Sequence, residues 1–538
     1  MTYHLADAAD LEAWADRIQS RYELPDLIRR LVLATSSPNE LAFRTGEGAG
    51  YSGWDGYVDA PQGTAYVPQG RSGWEMGAGK DVAEKLSSDY RKRTRNPRPF
   101  VRPETTFVFC TPRRWHGKED WIAAHRARTP WAAARVYDAD DLALWLTAAP
   151  GVHVWLSMEL GKPVDRVHPL AAWWESWSTV TRPPISPSLL LSGRGKERDQ
   201  LIEAVTGAPR ILKVRTAGEA ESLAFISAAI ASQSPDLRDA LLSRALLVDE
   251  PGAWRYFTQQ TAPLILIPRF TDEVLVNEAV RHGHQVLLPV GADYHLSPLI
   301  DVPRLSSQEA RRVLESEGLA PAAAGHAAAL ARRSLPAYRR VLAVKSPEQP
   351  PWAHGEDAFL LALLVLSGSW SEGLEGDREA LERLTEVPYT RLRALLTHWR
   401  DSSDPPFRQT SLEWHVLAKE DAWRMLAPHV TAQDLDRFMK IAEEVLMEGD
   451  PKRGMSTAER MEADIRGVQR RYSKALSKGL ADSLGMLGAL GSGGIPVNTA
   501  DGSSTAAFAT KALRELLSEA LGHPQTWLDI GPHLPALA

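Results

Sequence analysis

One stretch of the sequence decides the fold of the first domain: Ser72-Gly73-Trp74-Glu75-Met76-Gly77. It carries a large aromatic residue and lies between glycines, which is typical of a short strand. Comparable segments, short, rich in aromatic or β-branched residues and bounded by Gly or Pro, predict further strands. They are Leu41–Thr45, Trp54–Ala60, Thr106–Thr111 and Ala134–Tyr137, with Tyr66–Val67 leading into the quoted stretch.

Helical patterns surround these strands. The apolar positions from Leu11 to Leu33 approximate one helical face interrupted near Pro25, which predicts two short helices or one bent helix. Asp81–Arg93 is amphipathic, and Asp140–Thr147 follows an acidic cap. The order is therefore helix, three strands, helix, strand, helix, strand and helix. This α/β alternation favours a mixed sheet with helices on its faces.

The predicted strands place two carboxylates 20 residues apart, Asp55 and Glu75, and a lysine follows on the next helix at Lys80 or Lys85. Two carboxylates can hold a hard divalent cation such as Mg²⁺ or Mn²⁺. The cation activates water and neutralises charge on a phosphate, while a lysine orients the water or pairs with phosphate oxygens. The set therefore suits the hydrolysis of a phosphodiester.

Each of these residues has a simpler interpretation. The two acids can be turn or surface residues, although an unpaired carboxylate beside a tryptophan is costly if it is buried. Lysines on a helix surface are usually solvated. Glu47 and Asp59 are nearby acids that could replace either ligand, or lie solvated in a loop and at a strand edge.

On these residues, Leu11 to Leu160 resembles the restriction-endonuclease-like, or PD-(D/E)xK, nuclease superfamily, in particular its branch fused to bacterial defence ATPases. The resemblance implies that the two acids are metal ligands. The family's usual lysine lies two residues after the second acid, where this sequence has Gly77. A lysine on the following helix, Lys85 or in second place Lys80, would then take its role.

A basic stretch from Arg91 to Lys118 holds nine basic residues and one acid, a net charge of +8. Such a charge gives sequence-independent affinity for nucleic acid, and Phe100, Trp115 or Trp121 could stack on bases. A solvated loop beside a buried strand is the alternative. The residues expected to bind nucleic acid are Arg91, Lys92, Arg93, Arg95, Arg113 and Arg114.

A proline-rich connector, Thr181–Ser188, precedes a second α/β unit. Its spacing is what βαβ crossovers require. The predicted strands are Leu189–Leu191, Arg210–Val214, Ala245–Val248, Leu264–Ile267 and Gln285–Pro289, and the predicted helices are Lys196–Val205, Ala220–Ala231 and Thr271–His282.

Two loops of this unit approach a phosphate-binding motif. Ser192–Glu197 contains Lys196 but lacks the first glycine, and Arg215–Glu219 contains Gly218 but no lysine. Leu246–Glu250 is similar to a Walker B strand, with Asp249 and Glu250 as the acids, or forms a turn before Pro251. Ser188–Ala343 accordingly resembles STAND- or AAA-type NTPases that have lost the phosphate lysine. ATP binding is left open, with Gly218, Asp249 and Glu250 as its candidate residues.

Beyond Ser306 the pattern is helical, and Gly485–Ser504 has the composition of a loop or linker. The predicted organisation is α/β and multidomain. It comprises a restriction-endonuclease-like mixed sheet at 1–180, a degenerate P-loop-NTPase-like α/β domain at 188–305, a helical lid at 306–350 and an all-α sensing region at 351–538, which may be truncated at its C-terminus.

Composition limits the class of protein. The chain has 538 residues, a net charge of −6, a single cysteine and 18 tryptophans, 11 of them at or before Trp177. The lone cysteine and the absence of a basic-apolar leader favour a reducing cytoplasm. The longest apolar run, Ala358–Leu366, is too short to span a bilayer.

The combined expectation is a metal-dependent DNA endonuclease regulated by a STAND-like module in bacterial antiphage defence. Its expected partners are DNA and a trigger such as a phage protein, with homo-oligomerisation on activation and no membrane. The alternative is a non-catalytic nucleic-acid-binding or protein-assembly scaffold with a vestigial nuclease fold.

Overall fold

The computed structural model describes residues 3–44, 53–126, 129–292, 294, 299–345, 349–466, 468–492 and 498–521. The chain is mixed α/β and contains three sheets among these residues. It divides into two compact units, one formed by Met1–Thr179 with Ile185–Pro303 and the other by Val180–Pro184 with Arg304–Ala538.

The first sheet of unit 1 has five strands in the order β1-β2-β3-β4-β5. The pairs β1–β2 and β2–β3 are antiparallel, and the pairs β3–β4 and β4–β5 are parallel. The strands are β1 (Glu40–Phe43), β2 (Gly56–Ala60), β3 (Gly70–Met76), β4 (Thr105–Cys110) and β5 (Ala133–Tyr137). The helices are α1 (Ala8–Ala15), α2 (Ser20–Thr35), α3 (Val82–Arg95), α4 (Lys118–Arg126), α5 (Ala139–Thr147) and α6 (Pro150–Glu159). The predicted order of helices and strands is confirmed.

The two faces of this sheet have separate cores. Trp74 and Met76 of β3 pack in a cluster with residues of α1, α2 and α5. Because side chains alternate along a strand, Glu75 projects to the opposite face. That face carries an aromatic cluster that includes Trp54 and Phe107. Glu75 is therefore a carboxylate on the aromatic face of the sheet.

The predicted interruption near Pro25 is wrong. The helical segment is broken between α1 and α2, at residues 16–19, and Pro25 lies inside α2. The ring of a proline fixes φ at a helical value, removes the hydrogen bond to the carbonyl four residues earlier, here that of Arg21, and crowds that carbonyl. Burial of Pro25 between Leu24 and Leu27 accompanies this continuous helix.

The second sheet of unit 1 has six strands in the order β11-β7-β10-β9-β8-β6. All neighbours are parallel except β6, which is antiparallel to β8. The strands are β6 (Val167–Pro169), β7 (Ile211–Arg215), β8 (Ala245–Val248), β9 (Ile265–Pro268), β10 (Gln285–Val290) and β11 (Leu299–Asp301). The helices are α7 (Leu170–Ser178), α8 (Pro187–Leu190), α9 (Gly195–Thr206), α10 (Glu219–Ala231), α11 (Pro235–Leu242), α12 (Pro251–Thr258) and α13 (Glu273–Arg281).

The predicted strand Leu189–Leu191 is wrong, because this segment belongs to a short helix and the turn after it. The Ser186 side chain accepts a hydrogen bond from Leu189 N and caps the helix, and Pro187 occupies its first position. Serine at the cap followed by proline is a helix-start signal that outweighs the apolar run.

Unit 2 is mainly helical. Its helices are α14 (Ser307–Ser316), α15 (Pro321–Arg333), α16 (Leu335–Val341), α17 (Ala358–Ser367), α18 (Glu375–Thr385), α19 (Tyr389–Arg400), α20 (Lys419–Leu426), α21 (Ala432–Leu446), α22 (Thr457–Ile465), α23 (Lys474–Ser492) and α24 (Thr505–Leu521). The helix predicted over Ala320–Leu342 is divided at Ser334, which caps α16.

The prediction of an all-α region beyond residue 350 is wrong. Three strands, β12 (Ser369–Ser371), β13 (Phe407–Thr410) and β14 (Glu413–Val416), form an antiparallel sheet in the order β12-β14-β13. The strands have only three or four residues each, so they give little period-2 signal. The stacked rings of Trp370 and Trp414 anchor the sheet in the helical core.

The predicted linker Gly485–Ser504 is wrong over its first part, because α23 continues to Ser492. Alanine and leucine between the glycines bury an apolar face there, with Leu487 fully buried. Residues 493–497 lie outside the described residues. Across the described ranges, no helix combines the length and apolarity needed to cross a bilayer.

Candidate active site

Asp55 immediately precedes β2, and Glu75 lies on the adjacent strand β3 of the five-stranded sheet. The antiparallel register of β2 and β3 ends at the pair of Gly56 and Trp74, and Asp55 and Glu75 are the next residue on either side of that pair. Asp55 N donates to Trp74 O at 3.1 Å, and Asp55 Oδ2 accepts from Met76 N at 2.8 Å. The two carboxyl groups are close enough for the charge of Asp55 to raise the pKa of Glu75. The sheet therefore brings the two predicted acids together.

Burial perturbs both carboxyl groups. Glu75 is 2% exposed, and burial followed by the charge of Asp55 raises its pKa to about 8. Burial also raises the pKa of Asp55, against the hydrogen bond from Met76 N and the positive charge of Lys85. Two neighbouring carboxylates that resist ionisation in this way form a place where a cation is electrostatically favoured.

The side chain of Lys85 packs against Gly77. A Cβ atom added at Gly77 would lie 2.9 Å from Lys85 Cγ and 3.4 Å from the Phe109 ring. The aliphatic part of Lys85 therefore lies over the Cα atom of Gly77, and glycine at this position leaves room for it. The side chain of Lys85 on α3 thus lies against position 77, where this sequence has glycine.

Lys85 belongs to a charged row on one face of α3. Its Nζ atom lies 2.8 Å from Asp89 Oδ2, and Arg93 follows after another helical turn. Burial lowers the pKa of Lys85, but the contact with Asp89 and the nearby acids outweigh burial, so its pKa lies above the ordinary value. Asp89 was not among the predicted site residues. The spacing of four residues from Lys85 to Asp89 to Arg93 is the signal that indicates one helix face.

Arg93 is buried and interacts within the site, so its predicted role in nucleic-acid binding is wrong. Arg93 Nε donates to Glu75 Oε1, and Arg93 Nη2 donates to the carbonyl oxygen of Gly53. The guanidinium also lies 5.0 Å from the centroid of the Trp54 ring. Arg93 is 7% exposed, and its charge compensates that of Glu75 rather than facing solvent.

A cavity of about 350 Å³ opens at this end of the sheet. Its walls combine the first acid, the lysine, the glycine-containing turn after β3 and the start of α2. The lining residues are Arg21, Leu24, Pro25, Asp55, Met76, Gly77, Ala78, Gly79 and Lys85. Lys80 is exposed and lies outside this lining. The pKa of Asp16 is lowered first by a hydrogen bond from Arg113 and to a smaller extent by the charge of Lys80.

The alternative acids have different positions. Glu47 lies outside the described residues. Asp59 is near the opposite end of β2 from Asp55, about 13 Å along the strand, and pairs in register with Glu40 and Arg71. Asp59 is therefore remote from the cavity.

The basic stretch separates into exposed and paired residues. Arg113 donates to Ala78 O at 2.8 Å and to Asp16 at 2.8 Å, which ties the turn beside the cavity to the end of α1. Arg114 lies within 3.1 Å of Asp140. Contacts within the domain thus occupy Arg113, contrary to its predicted availability for nucleic acid, whereas Arg114 remains exposed. The residues that remain exposed on α3 are Arg91, Lys92 and Arg95.

The aromatic residues of this stretch are also partly structural. Phe100 is buried against Trp54, with ring centroids 5.1 Å apart, so it is not available to stack on a base. Trp121 stacks on His125 at 3.9 Å on α4. Trp115 packs at the edge of the same aromatic cluster.

The candidate nucleotide-binding residues do not converge. Gly218 follows β7, whereas Asp249 and Glu250 follow β8, and two strands, β10 and β9, lie between them. Three strand spacings separate the two positions by about 14 Å. Asp249 instead lies within 3.4 Å of His168 and 3.7 Å of Arg269, and Glu250 precedes the first turn of α12.

The loop after β7 is short and filled by its own side chains. Only three residues separate β7 from α10, and Thr216 Oγ1 lies 3.0 Å from Ser222 Oγ, which donates to Val290 O at 2.8 Å. The other near-motif follows a helix, and its Lys196 is exposed. Neither loop has the strand, glycine-rich turn and lysine that a phosphate-binding loop needs.

Neither the protein-family models nor the curated proteins give a match to this chain. Over the described residues, no group of three or more His, Cys, Asp or Glu side chains is arranged to hold a metal ion. The neighbouring carboxyl groups of Asp55 and Glu75 nevertheless fit a hard divalent cation, because Mg²⁺ retains several waters and binds through one or two carboxylates.

Proposed function

We propose that the chain is a metal-dependent DNA endonuclease whose active site is the cavity at the end of β3. The observation that carries the proposal is the proximity of Asp55, Glu75 and Lys85, which span 30 positions of the sequence. The order of strands in the five-stranded sheet supports the resemblance to restriction-endonuclease-like nucleases noted from the sequence.

In this proposal Asp55 and Glu75 hold Mg²⁺ or Mn²⁺. Such a cation activates water for attack and neutralises charge on the phosphodiester. Lys85, held by Asp89, presents an ammonium group to the cavity that can pair with a phosphate oxygen. The aromatic cluster around Trp54 limits water on the inner side of Glu75.

The six-stranded sheet and unit 2 would regulate this nuclease as a STAND-like module, in bacterial antiphage defence, with a phage protein or another trigger and homo-oligomerisation on activation. The filled loop after β7 and the separation of Gly218 from Asp249 favour a scaffold over an ATPase. ATP is therefore not assigned a catalytic role.

Cleavage of plasmid DNA with Mg²⁺ or Mn²⁺ tests the proposal. Asp55→Ala removes a ligand and is expected to lower the cleavage rate by about 100-fold or more. Asp59→Ala, the matched change at the other end of the same strand, is expected to retain wild-type cleavage. Equal activity of Asp55→Ala and the wild type would overturn the assignment.

One observation favours a second function, a non-catalytic DNA-binding or assembly scaffold with a vestigial nuclease fold. The pairing of Arg93 with Glu75 supplies the compensating charge without a metal. This alternative predicts DNA binding that is independent of divalent cations, with no cleavage under any trigger. Metal-dependent cleavage that is lost in Asp55→Ala excludes it.

A further inference from the structure

The cavity contains one cation that the proposed catalytic set does not use. Arg21, the second residue of α2, is exposed and lines the cavity together with Asp55 and Lys85. Leu24 and Pro25, three and four residues later, line the same cavity and are buried. Residues at these spacings share one helix face, so α2 supplies an apolar wall with a guanidinium at its mouth.

Two of the carboxylates in and around the cavity form ion pairs, and neither of their partners is Arg21. Glu75 is paired with Arg93, and Asp89 is paired with Lys85. The guanidinium of Arg21 forms no ion pair or hydrogen bond with any described residue. Among the charged side chains of the described lining, Arg21 and Asp55 thus have no ion-pair partner, and Arg21 is the exposed one of the two.

A phosphodiester carries a negative charge and must approach the carboxylates Asp55 and Glu75. Repulsion by these groups opposes its entry, so a second cation at the mouth is needed to bring the phosphate in. Guanidinium suits this task, because its planar donors match two phosphate oxygens. Contact with Asp89 fixes the ammonium group of Lys85 inside the cavity, whereas the exposed guanidinium of Arg21 can turn toward the DNA backbone.

We propose that Arg21 is a phosphate-binding residue that holds the backbone of a DNA strand at the mouth of the Asp55–Lys85 cavity. The inference rests on the proposed function and adds to it the contact that seats the substrate. Arg21 is a binding residue in this scheme, with no part in proton transfer.

The test measures binding apart from cleavage. The full chain is titrated against a fluorescein-labelled DNA duplex in EDTA, at several salt concentrations, and anisotropy gives the affinity. Arg21→Ala is expected to weaken binding about fivefold for every duplex sequence and to reduce the slope of log affinity against log salt by about 1. Arg17→Ala, an exposed arginine four residues earlier and outside the cavity lining, is the matched control and is expected to bind like the wild type.

Three outcomes overturn the inference: equal binding by Arg21→Ala and the wild type, equal losses in Arg21→Ala and Arg17→Ala, and no duplex binding by the wild type. A parallel cleavage assay separates this inference from the proposed function. If the wild type cleaves DNA and Arg21→Ala binds DNA like the wild type, the proposed nuclease function is retained and the role of Arg21 is excluded. If Arg21→Ala alone loses binding and the wild type does not cleave DNA, the role of Arg21 is retained and the nuclease function is excluded.

Discussion

Each of the two sheets of unit 1 carries a set of candidate residues, and the two sets differ in how closely their members lie together. In the five-stranded sheet, Asp55 at the start of β2 lies close to Glu75 of β3, and α3 brings Lys85 to the cavity that Asp55 lines. In the six-stranded sheet, two strands separate Gly218 from Asp249. Adjacency of strands, and not the presence of suitable residue types, decides whether a set of side chains can act together.

The largest effect that would sharpen this contrast is expected at Lys85. Lys85→Met removes the ammonium group and retains the aliphatic chain over Gly77, so cleavage is expected to fall on the order of 1,000-fold with the fold preserved. Lys80→Met serves as the control, since Lys80 is exposed and outside the cavity lining. Initial rates of plasmid cleavage provide the measurement, and equal losses for the two lysines would contradict the placement of the site.

The next effect concerns stability. Arg93→Met leaves Glu75 buried without its compensating charge, which is expected to lower the free energy of unfolding by about 3 kcal/mol at about pH 9. At about pH 6 the loss is expected to be smaller, because Glu75, whose pKa is raised to about 8, then carries a proton.

Urea unfolding followed by tryptophan fluorescence measures this difference at both pH values. Arg91→Met, two residues away and exposed, is expected to change stability by less than about 0.5 kcal/mol. A loss in Arg93→Met that does not depend on pH would mean that Glu75 is not the group that Arg93 neutralises.

A third prediction concerns pH and the metal. The pKa of Glu75 is raised from 4.5 to about 8, so the folded chain keeps a proton that the unfolded chain has lost. Without metal, this group makes folding stability fall as pH rises across that window. Mn²⁺ binding displaces the proton, so affinity is expected to rise by up to about tenfold per pH unit below about pH 8 and then to level off.

Calorimetric titration of Mn²⁺ into the full chain tests this pH dependence. Glu75→Gln removes the titrating group and is expected to bind Mn²⁺ weakly, with a much flatter profile. A wild-type affinity that is constant between about pH 6 and about pH 9 would exclude Glu75 as a ligand.

The smallest effects are expected in the six-stranded sheet. Gly218→Ala and Asp249→Asn are expected to change DNA cleavage by less than about twofold, because neither residue adjoins the cavity and the loop after β7 is already filled. ATP turnover is measured on the same samples. Turnover by the wild type that Asp249→Asn abolishes would break the contrast between the two sheets.

Local sequence predicted much of the fold of unit 1. Strands β2 to β5 and helix α3 are signalled by short apolar or aromatic runs, by glycine and by the Asp81 cap. Local sequence wrongly predicted a strand at Leu189–Leu191, where a serine cap and a proline start a helix within the apolar run. It also missed β12 to β14, which have too few residues for an alternating pattern to be recognised.

The candidate site was predicted in its two acids and in Lys85, and it was incomplete elsewhere. Arg93 is in a basic run, yet its direction on α3 turns it inward to Glu75. Arg21 precedes Asp55 by more than thirty residues and joins it only through packing of α2 at the end of the sheet. Side-chain direction and long-range packing carry this information, and neither is encoded in the local pattern.

The edge strand β6 has a practical consequence for dissecting the protein. Val167–Pro169 lies upstream of the connector, yet it pairs with β8, a strand of four buried apolar residues. A fragment cut after the connector would carry β6 away from β8 and leave an unpaired apolar edge on the remainder, a template for self-association. A fragment that contains the six-stranded sheet should therefore begin before β6 and not at the connector.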